Sequence, residues 1–215
     1  MKIAIYGAGG FGREIAAIAK HKIVQETGSW TSAAHALVFV SDDATEHDPH
    51  REIPILPLTA ADGYQFAIAV ADASTRRKLA ERTMGRAVCL IAPTAIIGPD
   101  VVIGEGAIFC DFTMVTANAV IGRHFHCNIY AYVAHDCVIG DFVTLAPRVS
   151  INGNTVIEDD VYIGTGAILR NGVKGRPLRI GRGATIGMGA VVTKDVPPGV
   201  TVVGNPARIL PGRTL

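Results

Sequence analysis

Two short segments of this 215-residue chain carry residue types that perform acyl-transfer chemistry when they meet: His135-Asp136 and Asn152-Gly153-Asn154. An imidazole can take a proton from an incoming nucleophile, and a carboxylate beside it stabilises the resulting imidazolium. A glycine between two asparagines reads as an irregular corner with unpaired backbone N–H groups, and such a group stabilises the oxyanion of a thioester under attack. A third segment, Gly7-Ala8-Gly9-Gly10-Phe11-Gly12, follows the short run Lys2–Tyr6 and has the spacing of a phosphate cradle. Asp42-Asp43 closes a second expected strand and offers carboxylates to a ribose or a base. Gly12 and Asp42 lie about 30 residues apart, beyond the roughly 20 of dinucleotide sites, which favours a nucleotide diphosphate over NAD.

The elements that must position these groups follow two grammars. Residues 1–90 alternate strands and helices. Lys2–Tyr6 is followed by an amphipathic helix burying Ile15, Ile18 and Ala19. Ala36–Val40 and Phe66–Val70 are further strands, a helix starts at Ser74, and Val88–Ile91 closes the half. This is the pattern of a small Rossmann-like α/β unit. From residue 91 to 215 the period changes. Aliphatic or similar residues recur at every sixth position from Ile91 through Ile97, Ile103 and Phe109 to Leu169. Six fits neither a helix nor a simple strand alternation. It fits a short strand plus a tight corner, three sides to a coil of eighteen residues, with successive coils pairing in parallel about 4.8 Å apart. Small residues after the inward ones are expected to let the chain turn. After Leu169 the phase resumes at Ile180, so a loop is expected at Lys174–Leu178, and Val202–Leu210 is expected to cover the end of the stack.

The period acts as a ruler. His135 and Gly153 are eighteen residues apart and therefore fall on one corner, one coil apart. No cysteine or serine is placed beside His135, so direct attack by the acceptor, without an acyl-enzyme, is expected. His124, His126 and His135 are spaced H-x-H-x8-H within less than one coil, which does not bring three imidazoles to a point, and no metal is expected.

Composition narrows the classes further. Lys and Arg total 20 against 19 Asp and Glu, without a basic stripe or a run of like charge, so neither nucleic acid nor a membrane surface is an expected partner. Glycines interrupt the first twenty residues, which do not read as a signal peptide, and no apolar run is long enough to span a bilayer. Cys89, Cys110, Cys127 and Cys137 show no paired or zinc spacing and read as reduced thiols of a cytoplasmic protein.

Tyr6-Gly7-Ala8-Gly9-Gly10-Phe11-Gly12, Asp42-Asp43, His135-Asp136-Cys137-Val138-Ile139-Gly140-Asp141-Phe142 and Val203-Gly204-Asn205-Pro206-Ala207 together resemble the sugar O/N-acyltransferases. That family is typified by sialic-acid O-acetyltransferases and by bacillosamine and perosamine N-acetyltransferases. The stretch from Ala146-Pro147 through Asn154 looks most like the members acting on nucleotide-linked 4-amino-4,6-dideoxysugars. The resemblance covers the whole chain and implies a left-handed parallel β-helix after the Rossmann-like unit, a homotrimer, and acetyl-CoA lying between neighbouring helices. It implies His135 as base with Asp136 tuning it, and Asn128 near the acceptor sugar. It implies Thr144, Gly153, Thr165 and Met188 at acetyl-CoA, and Gly9, Gly10, Phe11, Asp42 and Asp43 at the nucleotide sugar. Asp72 is counted in that set as well, although Ala71-Asp72 departs from the Gly-Asn or Gly-Asp that relatives often carry there. The acceptor group is an amine or, as in the sialic-acid type, a sugar hydroxyl.

Overall fold

The computed structural model describes residues 1–42, 52–83 and 85–211. The chain forms two compact units, Met1–Pro93 and Thr94–Leu215.

In the first unit β1 (Ile3–Tyr6) lies in the middle of a four-stranded sheet, between β2 (Leu37–Val40) and β4 (Gln65–Ile68), with β3 (Ile55–Leu56) beyond β2. All these pairings are parallel. β1 and β2 are buried along their whole length, as expected of strands covered on both faces. α1 (Gly10–Thr27) buries Ile15, Ile18 and Ala19, and ends at Gly28, which is left-handed and donates its N–H to Val24 O. α2 (Trp30–Ala36) has no counterpart in the sequence reading. Only Ala33 is buried in it, so it leaves no apolar period, although Ser29 caps it by accepting from Ser32 N–H at 3.2 Å. It also takes Ala36, so the second strand starts at Leu37. α3 (Ala73–Arg82) begins one residue before the expected Ser74.

The second unit is a left-handed parallel β-helix with three faces. The first face stacks Val102–Ile103, Val120–Ile121, Val138–Ile139, Thr155–Ile157 and Leu178–Ile180. The second runs from Ile108–Phe109 through His126–Cys127, Thr144–Leu145, Tyr162–Ile163 and Thr185–Ile186 to Thr201–Val203. The third runs from Ile96–Ile97 through Met114–Val115, Tyr132–Val133, Ser150–Ile151 and Ile168–Leu169 to Val191–Val192. The register pairs residues eighteen apart, as in Val133 with Ile151, and twenty-three apart once the insertion intervenes, as in Ile157 with Ile180. From Phe109 to Val192 every expected inward residue is at most 2 % exposed. Ile97 and Ile103, in the first coil, are only half-buried, and Ile91 is 40 % exposed. A terminal coil has a stacking neighbour on one side only.

Two details correct the sequence reading. The small residues after the inward positions are not where the chain turns. At most corners the left-handed residue stands three places after the inward one: Asp100, Phe112, Asn118, His124, Tyr130, Asp136, Phe142, Arg148, Asn154 and Asp160, with Gly106, Gly166, Gly183 and Gly189 at four others. The glycines that directly follow inward residues serve close approach instead: a Cβ on Gly98 would lie 1.6 Å from Thr116 O of the next coil. The insertion is also displaced. Val173 and Arg176 pair backbone to backbone in a tight hairpin, whereas Leu178 is already in a strand and wholly buried. The final Arg208–Ile209 strand pairs antiparallel with Thr201–Val203 and closes the stack.

Candidate functional site

His135 occupies the corner between the third and first faces. Asp136, the left-handed residue of that corner (φ 58°), holds its carboxylate against the ring, with His135 Nδ1 to Asp136 Oδ2 at 2.7 Å. That contact makes Nδ1 the protonated nitrogen of the neutral ring and leaves Nε2 a lone pair. Both side chains are open to solvent. The ring lies flat against the next coil: a Cβ on Gly153 would stand 2.6 Å from His135 Cε1 and 2.7 Å from Nε2. Only glycine leaves room for the imidazole there.

Backbone bonds lock the column. Asn154 N–H donates to His135 O at 3.0 Å, and Gly172 N–H to Gly153 O at 2.9 Å. Gly153 N–H donates to no acceptor among the described residues. The corner therefore presents a basic nitrogen and a spare backbone donor side by side. Cys137 is two residues from His135 but wholly buried. Burial pushes its thiol up to about 11, and its sulfur faces the carbonyls of His135 and Asn152 at 3.6 and 3.4 Å. It is a poor nucleophile in that setting.

The remaining positions expected at acetyl-CoA, and Asn128 expected near the acceptor sugar, do not converge on this corner within one chain. Asn128, Thr165 and Met188 follow inward residues of the second face and lie on the corner between the second and third faces. Asn128 Oδ1 accepts from Ile129 N–H at 2.7 Å. Met188 is 81 % exposed, and Thr144 is buried on the second face. Among the described residues no group of histidine, cysteine or carboxylate side chains is arranged to hold a metal.

In the first unit the glycine turn opens α1. Gly12 is obligatory, since a Cβ there would lie 2.0 Å from Gly7 O, whereas Gly9 and Gly10 face open space. Gly9 caps α1, the first turn holds no acidic residue, and Phe11 is half-buried behind it. The amides of that turn, at the positive end of a long helix, form a site suited to phosphate.

Asp42 and Asp72 each make hydrogen bonds within the protein. Asp42 is gripped bidentately by Arg82, at 2.7 and 2.9 Å, and accepts from the Tyr6 hydroxyl at 2.7 Å. The Arg82 guanidinium, followed by the Tyr6 hydroxyl, holds the Asp42 carboxyl at about 2. Burial and then the bond to Asp42 push the Tyr6 phenol up to about 12. Asp72 caps α3, accepting from Thr75 N–H at 2.7 Å. Asp43 lies outside the described residues. Sequence reasoning missed Tyr6, Arg82 and the wholly buried Arg76, whose Nη1 donates to Val70 O at 2.7 Å and Ala71 O at 3.1 Å and fixes the loop after β4. Tyr6 directly precedes the glycine turn, which was an available signal; nothing local marked Arg82.

Comparison with known proteins agrees with this architecture. Residues 2–83 match the family model described as the PglD N-terminal domain. The chain is 43 % identical over 223 aligned positions to GDP-perosamine N-acetyltransferase of Escherichia coli O157:H7, covering 95 % of this chain and 94 % of that one. WeeI from Acinetobacter baumannii AYE superimposes with a TM-score of 0.88 at 44 % identity, over 98 % of this chain and 100 % of the other. The acetyltransferase domain of PglB from Neisseria gonorrhoeae FA1090, solved with acetyl coenzyme A, gives 0.80 at 31 % identity, over 97 % and 98 %. With a glycine-cradle α/β unit, a hexapeptide β-helix and a full-length relative at this identity, the chain belongs to the sugar O/N-acyltransferase family that includes GDP-perosamine N-acetyltransferase.

Proposed function

We propose that the protein transfers the acetyl group of acetyl-CoA to the 4-amino group of a nucleotide-linked 4-amino-4,6-dideoxysugar of the GDP-perosamine type. The observation that carries this reading is the His135 corner, where Nε2 lies against a glycine whose N–H is unused. The amine attacks the thioester carbonyl carbon, and Nε2 accepts the proton that the nitrogen sheds. The carbonyl oxygen, now an oxyanion, takes the Gly153 N–H. Collapse breaks the carbon–sulfur bond, and the imidazolium returns its proton to the departing CoA thiolate. His135 ends as it began, with Asp136 holding the ring through Nδ1 and stabilising its charged state in between. The buried, high-pKa Cys137 supports direct transfer without an acyl-enzyme.

The name of the Escherichia coli relative supports a GDP-linked amino sugar, and the acetyl coenzyme A held by the PglB domain supports the donor. Gly9, Gly10 and Phe11 would carry the diphosphate on the amides opening α1, with the Tyr6–Asp42–Arg82 cluster and Asp72 near the nucleoside. No metal takes part in the scheme.

The active form is a homotrimer in this reading. His135 and the corner bearing Asn128, Thr165 and Met188 are different edges of one helix, so a single groove holds both sets only when the second edge comes from a neighbouring chain. Exposed Ile96, Met114 and Ile168 on the third face and Val102, Val120 and Val138 on the first flank the His135 corner with apolar surface that such packing would cover. No helix among the described residues is long and apolar enough to cross a membrane. The four cysteines are free thiols, which supports a cytoplasmic setting.

The test is thiol release from acetyl-CoA against a panel of GDP-, UDP- and dTDP-linked 4-amino sugars and their 4-hydroxy counterparts. Turnover with an amino sugar and little with its hydroxyl counterpart is expected. Turnover confined to the hydroxyl series would contradict the reading.

A further inference from the structure

The Asn152–Gly153 peptide is anchored from inside the helix in a way the reaction scheme does not use. Asn152 O accepts from Thr155 Oγ1 at 2.8 Å and lies 3.4 Å from Cys137 Sγ. Both side chains are wholly buried, so the carbonyl is directed inward. A trans peptide is planar, with its N–H opposite its C=O. An inward Asn152 carbonyl therefore sends the Gly153 N–H outward, to the side where it meets no acceptor of the protein. The Asn152 side chain braces the same plane from above and below. Its Oδ1 accepts from the Tyr132 hydroxyl at 2.8 Å, and its Nδ2 donates to Leu169 O at 2.8 Å.

We infer that Thr155 is a positioning residue for acetyl transfer: its buried hydroxyl, helped by the Cys137 thiol and the Tyr132–Asn152 brace, holds the peptide that presents the Gly153 N–H to the thioester oxygen. The inference rests on the reading of Gly153 as oxyanion donor given above. A rotation of this peptide would turn the N–H away and point a carbonyl, with its negative end, at the developing oxyanion, so a modest loosening acts on the transition state in particular. Thr113 makes the same kind of bond, to Cys110 O at 2.7 Å, on a corner without a histidine. It supplies an internal control for the purely structural worth of such a bond.

The experiment compares Thr155→Val, Thr155→Ser, Tyr132→Phe and Thr113→Val with the wild type in steady-state acetyl transfer, CoA binding and thermal unfolding. Thr155→Val should lower kcat about ten-fold or more, a fraction of what loss of an oxyanion donor costs, with the Kd for CoA and the pH profile unchanged. Thr155→Ser should restore kcat to within about three-fold, Tyr132→Phe should lose about three-fold, and Thr113→Val should keep wild-type kcat. Three results overturn the inference: wild-type kcat in Thr155→Val, equal losses in Thr155→Ser and Thr155→Val, or a loss of CoA affinity that accounts for the slower rate. Absence of acetyl-CoA turnover by the wild type is a different outcome, and it overturns the underlying reading of the site itself.

Discussion

The His135 corner and the Tyr6–Asp42–Arg82 cluster of the first unit are built on different terms. At the corner, the reactive parts are placed by backbone. His135 and Gly153 sit one above the other because successive coils pair at eighteen residues, and the ring rests on a Cα with no side chain between. In the cluster, the polar side chains are placed by one another. Tyr6, Asp42 and Arg82 come from the ends of β1, β2 and α3, and their geometry depends on three mutual bonds. A corner of the first kind is rigid and intolerant of added atoms. A cluster of the second kind tolerates small changes of backbone but rearranges when one partner is removed.

The contrast can be broken most forcefully from inside the stack. Ile151, wholly buried beneath the Asn152–Gly153 corner, should cost about 2–5 kcal/mol of stability when cut to alanine. Denaturant unfolding would show it, and acetyl transfer should fall with it. Gly153→Ala comes next. Its Cβ must displace His135, so kcat should drop about 100-fold, the scale of misplacing a general base, while unfolding shifts by about 1–3 kcal/mol from overpacking. Arg82→Ala should be milder. The Asp42–Arg82 pair is largely exposed, so its loss should move stability by less than about 1 kcal/mol. The KM for the nucleotide sugar should rise several-fold as Asp42 and Tyr6 reorient, with kcat nearly unchanged. An equal loss in kcat would mean that the cluster and the corner are not separable in this way.

The smallest effect expected is none. Asp42, held near 2, and Tyr6, pushed up to about 12, both lie outside the physiological range, so acceptor binding should not vary through this cluster between about pH 5 and 9. The sign follows from the depressed carboxyl. The stabilisation that Asp42 provides is present above its unfolded pKa of about 4 and is lost as pH falls toward about 2. Calorimetric titration of the nucleotide sugar across that range is the check, and a transition near neutrality would point to another group.

What could be read without coordinates divides along the same line. A covalent repeat fixes distances, so the inward residues from Phe109 to Val192 and the His135–Gly153 stacking were legible from spacing alone. Where the repeat lapses, spacing no longer fixes position. Leu178 was placed in the loop because five extra residues between Leu169 and Ile180 have no phase of their own. The close-approach glycines and the left-handed corner residues were merged, since the period marks a corner without saying which residue turns it. In the first unit α2 was invisible because it buries one alanine, and β3 because two half-buried residues make no pattern. The bonds of Asp42 to Tyr6 and Arg82 were not legible because these partners are 36 and 40 residues distant. Tyr132 was only partly within reach: coils of eighteen stack it under Ser150, and its hydroxyl reaches two residues further, to Asn152.

The central claim is that His135 acts as the base for acetyl transfer from a rigid corner. The most direct test is the kcat of His135→Ala, with the affinities for CoA and for the nucleotide sugar measured alongside by calorimetry. The account predicts a fall in kcat of about 10²–10⁴-fold, the usual worth of a general base, with both affinities within about two-fold of the wild type. Turnover at the wild-type rate would contradict it.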